Sequence, residues 1–415
     1  MATINPIKWK RKDGKGGKSY QLDYVDAKGN RHRRNFRTWK AADEERVRIE
    51  SQLAAGTHVP DAKSQTVLEG ARAWLDHIEA LVKAGKREFT THEQYSSHVE
   101  NHIARFPIAR LRLSRLSAPD CQTFVETMSL ELSYAMAIKV RRSLCMALSY
   151  CQRHGLIAVN PAIPTKIEHH DRGKVEVAIP TKAEIRAILS AAERQSNQDR
   201  GRATAMMMLG FFGGLRPSEI LGFQRPNLHV ASSLKSPHVR ILERLDRKNQ
   251  LGSPKSAAGN RSVPIGPAAS AALRAWLTRT ADAKAGNLRL PTGKPGRRVH
   301  MVFPQIDGGP TPYYHFYHQI WEPLLIAAGV TRNIGTEEEP KLRAAYHPYA
   351  MRHAAASAWI EQGVKPKRLM KLMGHTSIEL VMELYGHIWE RLEDDLEIAV
   401  GAERVILASD DEGSA

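Results

Sequence analysis

Between residues 65 and 165 the apolar positions recur every three or four residues, the spacing of one face of an α-helix. The segments VLEGARAWLDHIEALVKAG, FTTHEQYSSHVENHI, APDCQTFVETM and SYAMAIKVRRSLCMALSYCQRHG carry this period. In the last, Ala137, Val140, Leu144, Ala147, Leu148 and Cys151 form one apolar face, and Lys139, Arg141 and Arg142 stand on the opposite edge. The pattern predicts a helical bundle, closed by the NPA that follows Gly155-Leu156-Ile157. Upstream the period changes. SYQLDYVD alternates apolar and polar residues as a half-buried strand does, AKGN is a turn signal, and RHRRNFRTW reads as the returning strand, with Phe36 and Trp39 as anchors. KAADEERVRIESQLAAG then predicts a helix ended by Gly56. A disordered basic arm is the competing reading of this first stretch, against which stand the aromatics Tyr20, Tyr24, Phe36 and Trp39.

Past the linker-like DRGKVEVAIP, Thr181 and Glu184 have the spacing of a capping box, hydroxyl to a free amide and carboxylate back to the cap. Helices follow through AMMMLGFF, whose methionines suit core packing. SPHVRILERLD and NRSVPI read as strands joined by the polar QLGSPKSAAG, and from Pro312 the chain is again mainly helical, ending in a helix, GAERVILA, and an acidic tail, DDEGSA. The expected fold class is mainly α with small β-sheets (α+β). The expected domains are a basic module at 1–60, a helical domain at 65–168, a third at 178–396, and the terminal helix and tail at 397–415.

Charge narrows the choice of partner. The formal net charge is +17 and the pI about 9.8. Residues 1–40 hold twelve Lys and Arg against three Asp, about half of the excess in about a tenth of the length. A polyanion is the simplest partner, because each neutralised phosphate releases counterions. Cys121, Cys145 and Cys151 have no metal-like spacing and read as reduced core residues. No apolar run approaches a membrane span, and the first twenty residues lack a signal-like apolar core. A cytoplasmic protein in contact with the chromosome is expected, with no membrane partner.

The candidate chemistry lies in five residues. Arg216 sits in GGLRPSEI and Arg352 in YAMRHAAAS; Lys255 precedes RSVPI; His375 and Tyr385 lie ten residues apart in LMGHTSIELVMELYGHI. Two guanidiniums can clamp a phosphate with paired hydrogen bonds. Lysine and imidazole can donate protons or hydrogen bonds, and a phenol can attack phosphorus to form an ester. Gly213-Gly214 and Pro217 suit a turn into a helix, which puts Arg216 at its start with Glu219 one turn away as an ion-pair partner.

The order Arg, Lys, Arg, His, Tyr in these contexts resembles the tyrosine recombinases, the phage-integrase family, in motif detail from about 180 to 395 and in general layout upstream. The resemblance implies an amino-terminal arm-binding module, a core-binding domain and a catalytic domain. It implies site-specific cutting and rejoining of DNA through a 3′-phosphotyrosine on Tyr385, with integration or excision of a mobile element. Arg216 and Arg352 would hold the scissile phosphate, and His375 would hydrogen-bond a non-bridging oxygen. Lys255, with Lys248 and Lys235 as rivals, would protonate the leaving 5′ hydroxyl. Neither metal nor nucleotide cofactor is implied. The implied partners are double-stranded attachment sites, synapsed by four protomers as a homotetramer, with accessory DNA-bending or directionality factors left open.

One position departs from the family pattern. Where a histidine usually stands three residues before the second arginine, this chain has Tyr349, and His347 lies two residues earlier. A phenol can donate a hydrogen bond to phosphate but accepts protons poorly at neutral pH. Tyr349 is therefore expected to contact phosphate rather than act as a base, with His347 as the alternative occupant of that role. Three other readings compete. A metal-dependent nuclease lacks histidine–carboxylate pairs at a metal-binding spacing. A type IB topoisomerase would use the same chemistry without a partner site. A DNA-binding regulator would keep the fold without needing the intact residue set.

Overall fold

In the computed structural model the chain divides into two units, Met1–Gly173 and Lys174–Ala415. The residues described are 2–10, 16–26, 29–54, 64–168, 178–195, 199, 201–254, 256–288 and 297–390. Among these, no helix is long and apolar enough to cross a membrane. Gly56, Lys255, the GAERVILA segment and the acidic tail lie outside the described residues.

The first unit opens with a three-stranded antiparallel meander, β1 (Thr3–Lys10), β2 (Gly16–Val25) and β3 (Arg31–Phe36), backed by helix α1 (Trp39–Ala54). Alternation along β2 turns Leu22 and Tyr24 inward, where they pack with Ala2 and Ile49. β1 escaped the pattern reading because Pro6 and its lysines break the alternation. It is an edge strand, where a proline costs no ladder bond on the solvent side. Trp39 is a correction: it is 54% exposed and begins α1 rather than anchoring β3. Part of the local charge is structural, since Arg31 and Arg33 pair with Asp23 and Arg34 with Glu45.

Helices α2 (Val67–Lys83), α3 (Phe89–Asn101), α4 (Ala118–Glu131) and α5 (Tyr134–Arg153) form the expected bundle. α2 and α4 begin in capping boxes, Thr66 with Glu69 and Ser117 with Asp120. The whole predicted face of α5 is buried. The NPA closure has a mechanism: the Asn160 amide donates to the Cys145 carbonyl at 2.8 Å and to Ser149 Oγ at 2.9 Å. Arg141 turns to Thr165 Oγ1 at 2.9 Å, so this guanidinium fastens the chain after the bundle.

The second unit starts at α6 (Lys182–Arg194), whose Thr181–Glu184 capping box forms as the spacing predicts. In α7 (Arg202–Phe211) Met206 and Met207 are fully buried, in the same core as Leu209, Phe303, Phe316 and Trp321. α8 (Pro217–Leu221) leads to an antiparallel sheet of β4 (Leu228–His229), β5 (His238–Ile241) and, across β5, Arg261–Pro264. The expected long strand SPHVRILERLD is broken after Ile241. Leu242 is exposed, and β6 (Arg244–Leu245) leaves the sheet to pair with β7 (Leu251–Gly252), which puts Arg261–Pro264 as β8. After α9 (Pro267–Arg279) come the hairpin β9 (Gly286–Leu288) and β10 (Arg297–Val299), then α10 (Tyr313–His315). A π-helical turn at Phe316–Trp321 continues into α11 (Glu322–Ala327). The hairpin β11 (Thr331–Asn333) and β12 (Leu342–Ala344) interrupts the expected helical run before α12 (Ala350–Glu361), α13 (Pro366–Met373) and α14 (Ile378–Glu390). The last three helices share a smaller core of Ala356, Ile360, Leu369, Met373, Val381 and Tyr385.

Two glycines shape the turns that matter below. Gly214 (φ +59°) and Gly374 (φ +62°) adopt left-handed backbone. A Cβ at Gly214 would lie 3.0 Å from the Trp359 ring. Gly214→Ala is expected to cost roughly 1–3 kcal/mol for the left-handed conformation. It would read as a lower urea midpoint at unchanged slope. An unchanged midpoint would show that the turn tolerates a side chain.

Candidate active site

The site is built on the carboxyl end of α13. Gly374 ends the helix in left-handed backbone, and the amides of Gly374 and His375 turn back to the Lys371 and Met370 carbonyls. The next carbonyls have no amide left to meet. Three guanidiniums take them. Arg261 Nε donates to the Leu372 carbonyl at 2.7 Å, Arg352 Nη2 to the Met373 carbonyl, and Arg216 Nη2 to the Gly374 carbonyl at 3.4 Å. Cations are favoured at this negative end of the helix dipole. Arg352 also donates from Nη1 to the Gly214 carbonyl at 2.8 Å, so both left-handed glycines present acceptors to the arginines.

Glu219 orients two of the three. Its carboxylate, 1% exposed, accepts from Arg216 Nη1 at 2.8 Å and from the Arg216 amide at 2.9 Å. It also accepts from Arg261 Nη1 at 2.9 Å and Nη2 at 2.8 Å. Arg216 caps α8 with Pro217 as its first residue, as the local sequence predicts. Burial opposes the Glu219 charge, yet the Arg261 hydrogen bonds and the arginine charges bring its pKa down to about 2. Burial and then Arg216 lower the pKa of Arg352 to about 10, which leaves it charged at neutral pH. One carboxylate thus faces three guanidiniums, and an excess of positive charge remains.

His375 lies against this cluster, 8% exposed, with a buried Nδ1 that has no hydrogen-bond partner. Burial, then Arg352, Arg216 and Arg261, push its pKa down to about 3, so the imidazole is neutral. A cleft of about 350 Å³ opens here, lined among others by Asn260, Ser262, Arg368, Lys371 and His375. Its cationic rim, with Arg261, Arg368 and Lys371, suits a bound anion.

On the other side stand the phenols. Tyr349 Oη accepts from Arg216 Nε at 3.1 Å, which places residue 349 at the cluster. His347 points elsewhere: its Nε2 is hydrogen-bonded to Tyr313 Oη at 2.9 Å. Tyr385, 1% exposed on α14, is hydrogen-bonded through Oη to His353 Nδ1 at 2.9 Å. Burial raises the pKa of Tyr385 to about 12, against the lowering pull of Arg352 and Arg216. Arg216, Glu219, Tyr349, Arg352, His375 and Tyr385 therefore gather in one place. Sequence reasoning missed two members, Arg261 and His353. Arg261 opens the strand RSVPI, whose upstream lysine drew the attention, and His353 directly follows Arg352. Adjacency to a candidate arginine was the available signal for His353.

The model of the phage integrase family matches residues 180–391, just over half of the chain. A tyrosine recombinase XerC-like protein of Caldanaerobacter subterraneus subsp. tengcongensis is 24% identical over 396 residues, covering 90% of this chain and 94% of that one. The fold is shared with the Tn1549 transposon integrase, solved with transposon right end DNA: TM-score 0.62, 18% identity, 82% of this chain and all of that one. It is also shared with lambda integrase, solved as a tetramer bound to a Holliday junction: TM-score 0.50, 16% identity, 91% and 94% coverage.

The buried charges predict acid lability. Glu219, held at about 2 against 4.5, contributes stability above pH 4.5 that is lost as pH falls through 2. His353 and His375, held at about 4 and about 3 against 6.5, act in the same direction. Below pH 6.5 the unfolded chain binds their protons first. Calorimetric unfolding should therefore show a midpoint falling from pH 6.5 downward; a midpoint constant to pH 4 would contradict the burial of these groups. Glu219→Gln should lower unfolding free energy by about 3–5 kcal/mol at pH 7, since it leaves the buried Arg261 and the partly buried Arg216 without their counter-charge.

Proposed function

The chain belongs to the phage integrase family, and from that premise we propose how this site-specific DNA recombinase cuts and rejoins strands: Tyr385 attacks the scissile phosphate and carries it as a 3′-phosphotyrosine. The observation that carries the reading is the convergence of Arg216, Arg352 and His375 at the end of α13, close enough to Tyr385 for both guanidinium charges to bear on its hydroxyl.

The scissile phosphate takes up the excess positive charge. An arginine has five N–H donors. Arg352 gives hydrogen bonds from Nη1 and Nη2 to carbonyls, and Arg216 gives one from each nitrogen to the protein. The donors left over on each can meet non-bridging oxygens. Because Glu219 and the helix end hold the guanidiniums before DNA arrives, their stabilisation of the pentacoordinate transition state costs little reorganisation. His375 hydrogen-bonds a further oxygen. Tyr349, whose oxygen accepts from Arg216, keeps its own proton to donate to phosphate. Lys255 serves as general acid for the departing 5′ hydroxyl. The ester conserves the energy of the phosphodiester bond, so the reaction needs neither nucleotide nor metal.

The partners in this reading are double-stranded attachment sites, held by a homotetramer on two synapsed duplexes. The basic amino-terminal module reads accessory sites, and the protein works in the cytoplasm on the chromosome, integrating or excising a mobile element. Reconstitution at the mapped element junctions tests for DNA-bending or directionality factors.

The deciding experiment uses a nicked duplex carrying the junction sequence that flanks the gene. Wild type should form a covalent adduct in excess chelator, and Tyr385→Phe should bind the duplex but form none. Adducts persisting in that variant would move the nucleophile to another tyrosine. Tyr349→Phe should slow cleavage about tenfold, a loss of roughly 1–2 kcal/mol. Tyr349→His should retain most activity, and His347→Ala should matter less than either. Strong loss in His347→Ala with an unaffected Tyr349→Phe would reverse the two assignments.

A further inference from the structure

We propose that His353 is a catalytic residue: it takes the proton of the Tyr385 hydroxyl during strand cleavage and returns it on religation. The inference rests on the reading of Tyr385 as nucleophile and supplies what that reading lacks, a destination for the phenolic proton.

The geometry leaves few acceptors. Tyr385 is 1% exposed, so little of the side chain meets bulk water. Among the described residues, His353 is the side chain hydrogen-bonded to Tyr385 Oη, through Nδ1 at 2.9 Å. Tyr349 is unsuited, being a phenol whose oxygen already accepts from Arg216 Nε. His347 is engaged with Tyr313. Position 353 is also one helical turn beyond position 349, the cap of α12, and the two rings lie tilted against each other with centroids 5.6 Å apart. A histidine there reaches the same neighbourhood as a side chain at 349 while leaving Tyr349 free for Arg216.

The charges around His353 make the transfer depend on DNA. It faces Arg352 and Tyr349 on its own helix, Tyr385 on α14 and, beyond the helix end, His375. Burial and then Arg352 hold its pKa at about 4, so at neutral pH the imidazole is uncharged, and in its Nε2–H tautomer the lone pair on Nδ1 accepts from the phenol. At rest the proton stays on the phenol. A phosphodiester seated on Arg352 offsets the charge that disfavours the imidazolium, and the base strengthens as substrate binds. In cleavage the Tyr385 Oη–P bond forms, the P–O5′ bond breaks, the phenolic proton moves to His353 Nδ1, and the 5′ oxygen takes a proton from Lys255. In religation the 5′ hydroxyl gives its proton back to the Lys255 amine and attacks phosphorus, the P–Oη bond to Tyr385 breaks, and the imidazolium protonates the departing phenolate.

Single-turnover cleavage of the nicked junction duplex across pH 5–10 tests this, with His353→Asn and His353→Ala beside wild type. Asparagine places Oδ1 near the Nδ1 position and accepts the hydrogen bond, but it cannot hold the proton. Both variants should bind the duplex as wild type does and cleave about a hundredfold more slowly at pH 7. Their rates should climb with pH as Tyr385 ionises unaided. A second duplex with sulfur in place of the bridging 5′ oxygen has a leaving group that needs no acid; it should rescue Lys255→Ala and not His353→Asn. His353→Asn cleaving at the wild-type rate with the wild-type pH profile would reduce His353 to a positioning residue, and rescue by the sulfur substrate would move it to the leaving-group side. Either overturns the proposal. Should the alanine variant fail to bind, the asparagine variant decides. An adduct that survives Tyr385→Phe would overturn the nucleophile assignment itself, and this proposal with it.

Discussion

The carboxyl end of one short helix organises the catalytic unit. α13 stops at Gly374, and its last carbonyls, at Leu372, Met373 and Gly374, have no amides of their own helix to meet. Buried carbonyls of this kind must find donors. Here the donors are guanidiniums brought from a strand, a turn and a neighbouring helix: Arg261 from β8, Arg216 from the start of α8 and Arg352 from α12. A requirement of backbone chemistry thus concentrates positive charge at one point, and that concentration suits a phosphodiester.

Concentrated like charge is unfavourable unless something opposes it, and Glu219 provides the opposition. Its two oxygens accept four hydrogen bonds, from the Arg216 amide, the Arg216 side chain and both terminal nitrogens of Arg261. Arg352 has no direct bond to this carboxylate; its low pKa, about 10, reflects burial beside Arg216. The two imidazoles nearby remain neutral for the same electrostatic reason, with pKa values of about 4 and about 3. The site without DNA is therefore a cationic cradle with neutral hydrogen-bonding groups at its edge. In the proposed reaction a phosphate at this cradle would change the electrostatics of every member at once, which would couple substrate binding to the proton chemistry of Tyr385 and His353.

Much of the architecture was legible in the sequence, because it depends on local rules. The helical period of residues 134–153 identified a face that is buried throughout, Thr181 with Glu184 forms the expected capping box, and the glycine–arginine–proline run made Arg216 a helix cap. Residue order and motif spacing also marked Arg216, Arg352, His375 and Tyr385, and with them the family. The failures were equally local in origin. β1 hid behind Pro6, tolerated on an edge strand; Trp39 was misplaced because an aromatic pattern does not distinguish a strand end from a helix start; and the strand through Ile241 broke where β6 found another partner.

What the chain alone determined is the set of chemical groups and the elements that carry them, since both follow from residue identity and short-range periodicity. Which groups meet is a long-range matter. Arg261 contacts Glu219 across 42 residues and the Leu372 carbonyl across 111, and His353 meets Tyr385 across 32. The choice between Tyr349 and His347 at the phosphate was likewise open in sequence. Packing turns His347 to Tyr313 and Tyr349 to Arg216, which is the ground for proposing Tyr349. Hydrogen bonds between distant segments depend on where the core places each backbone, and no spacing along the chain encodes that directly.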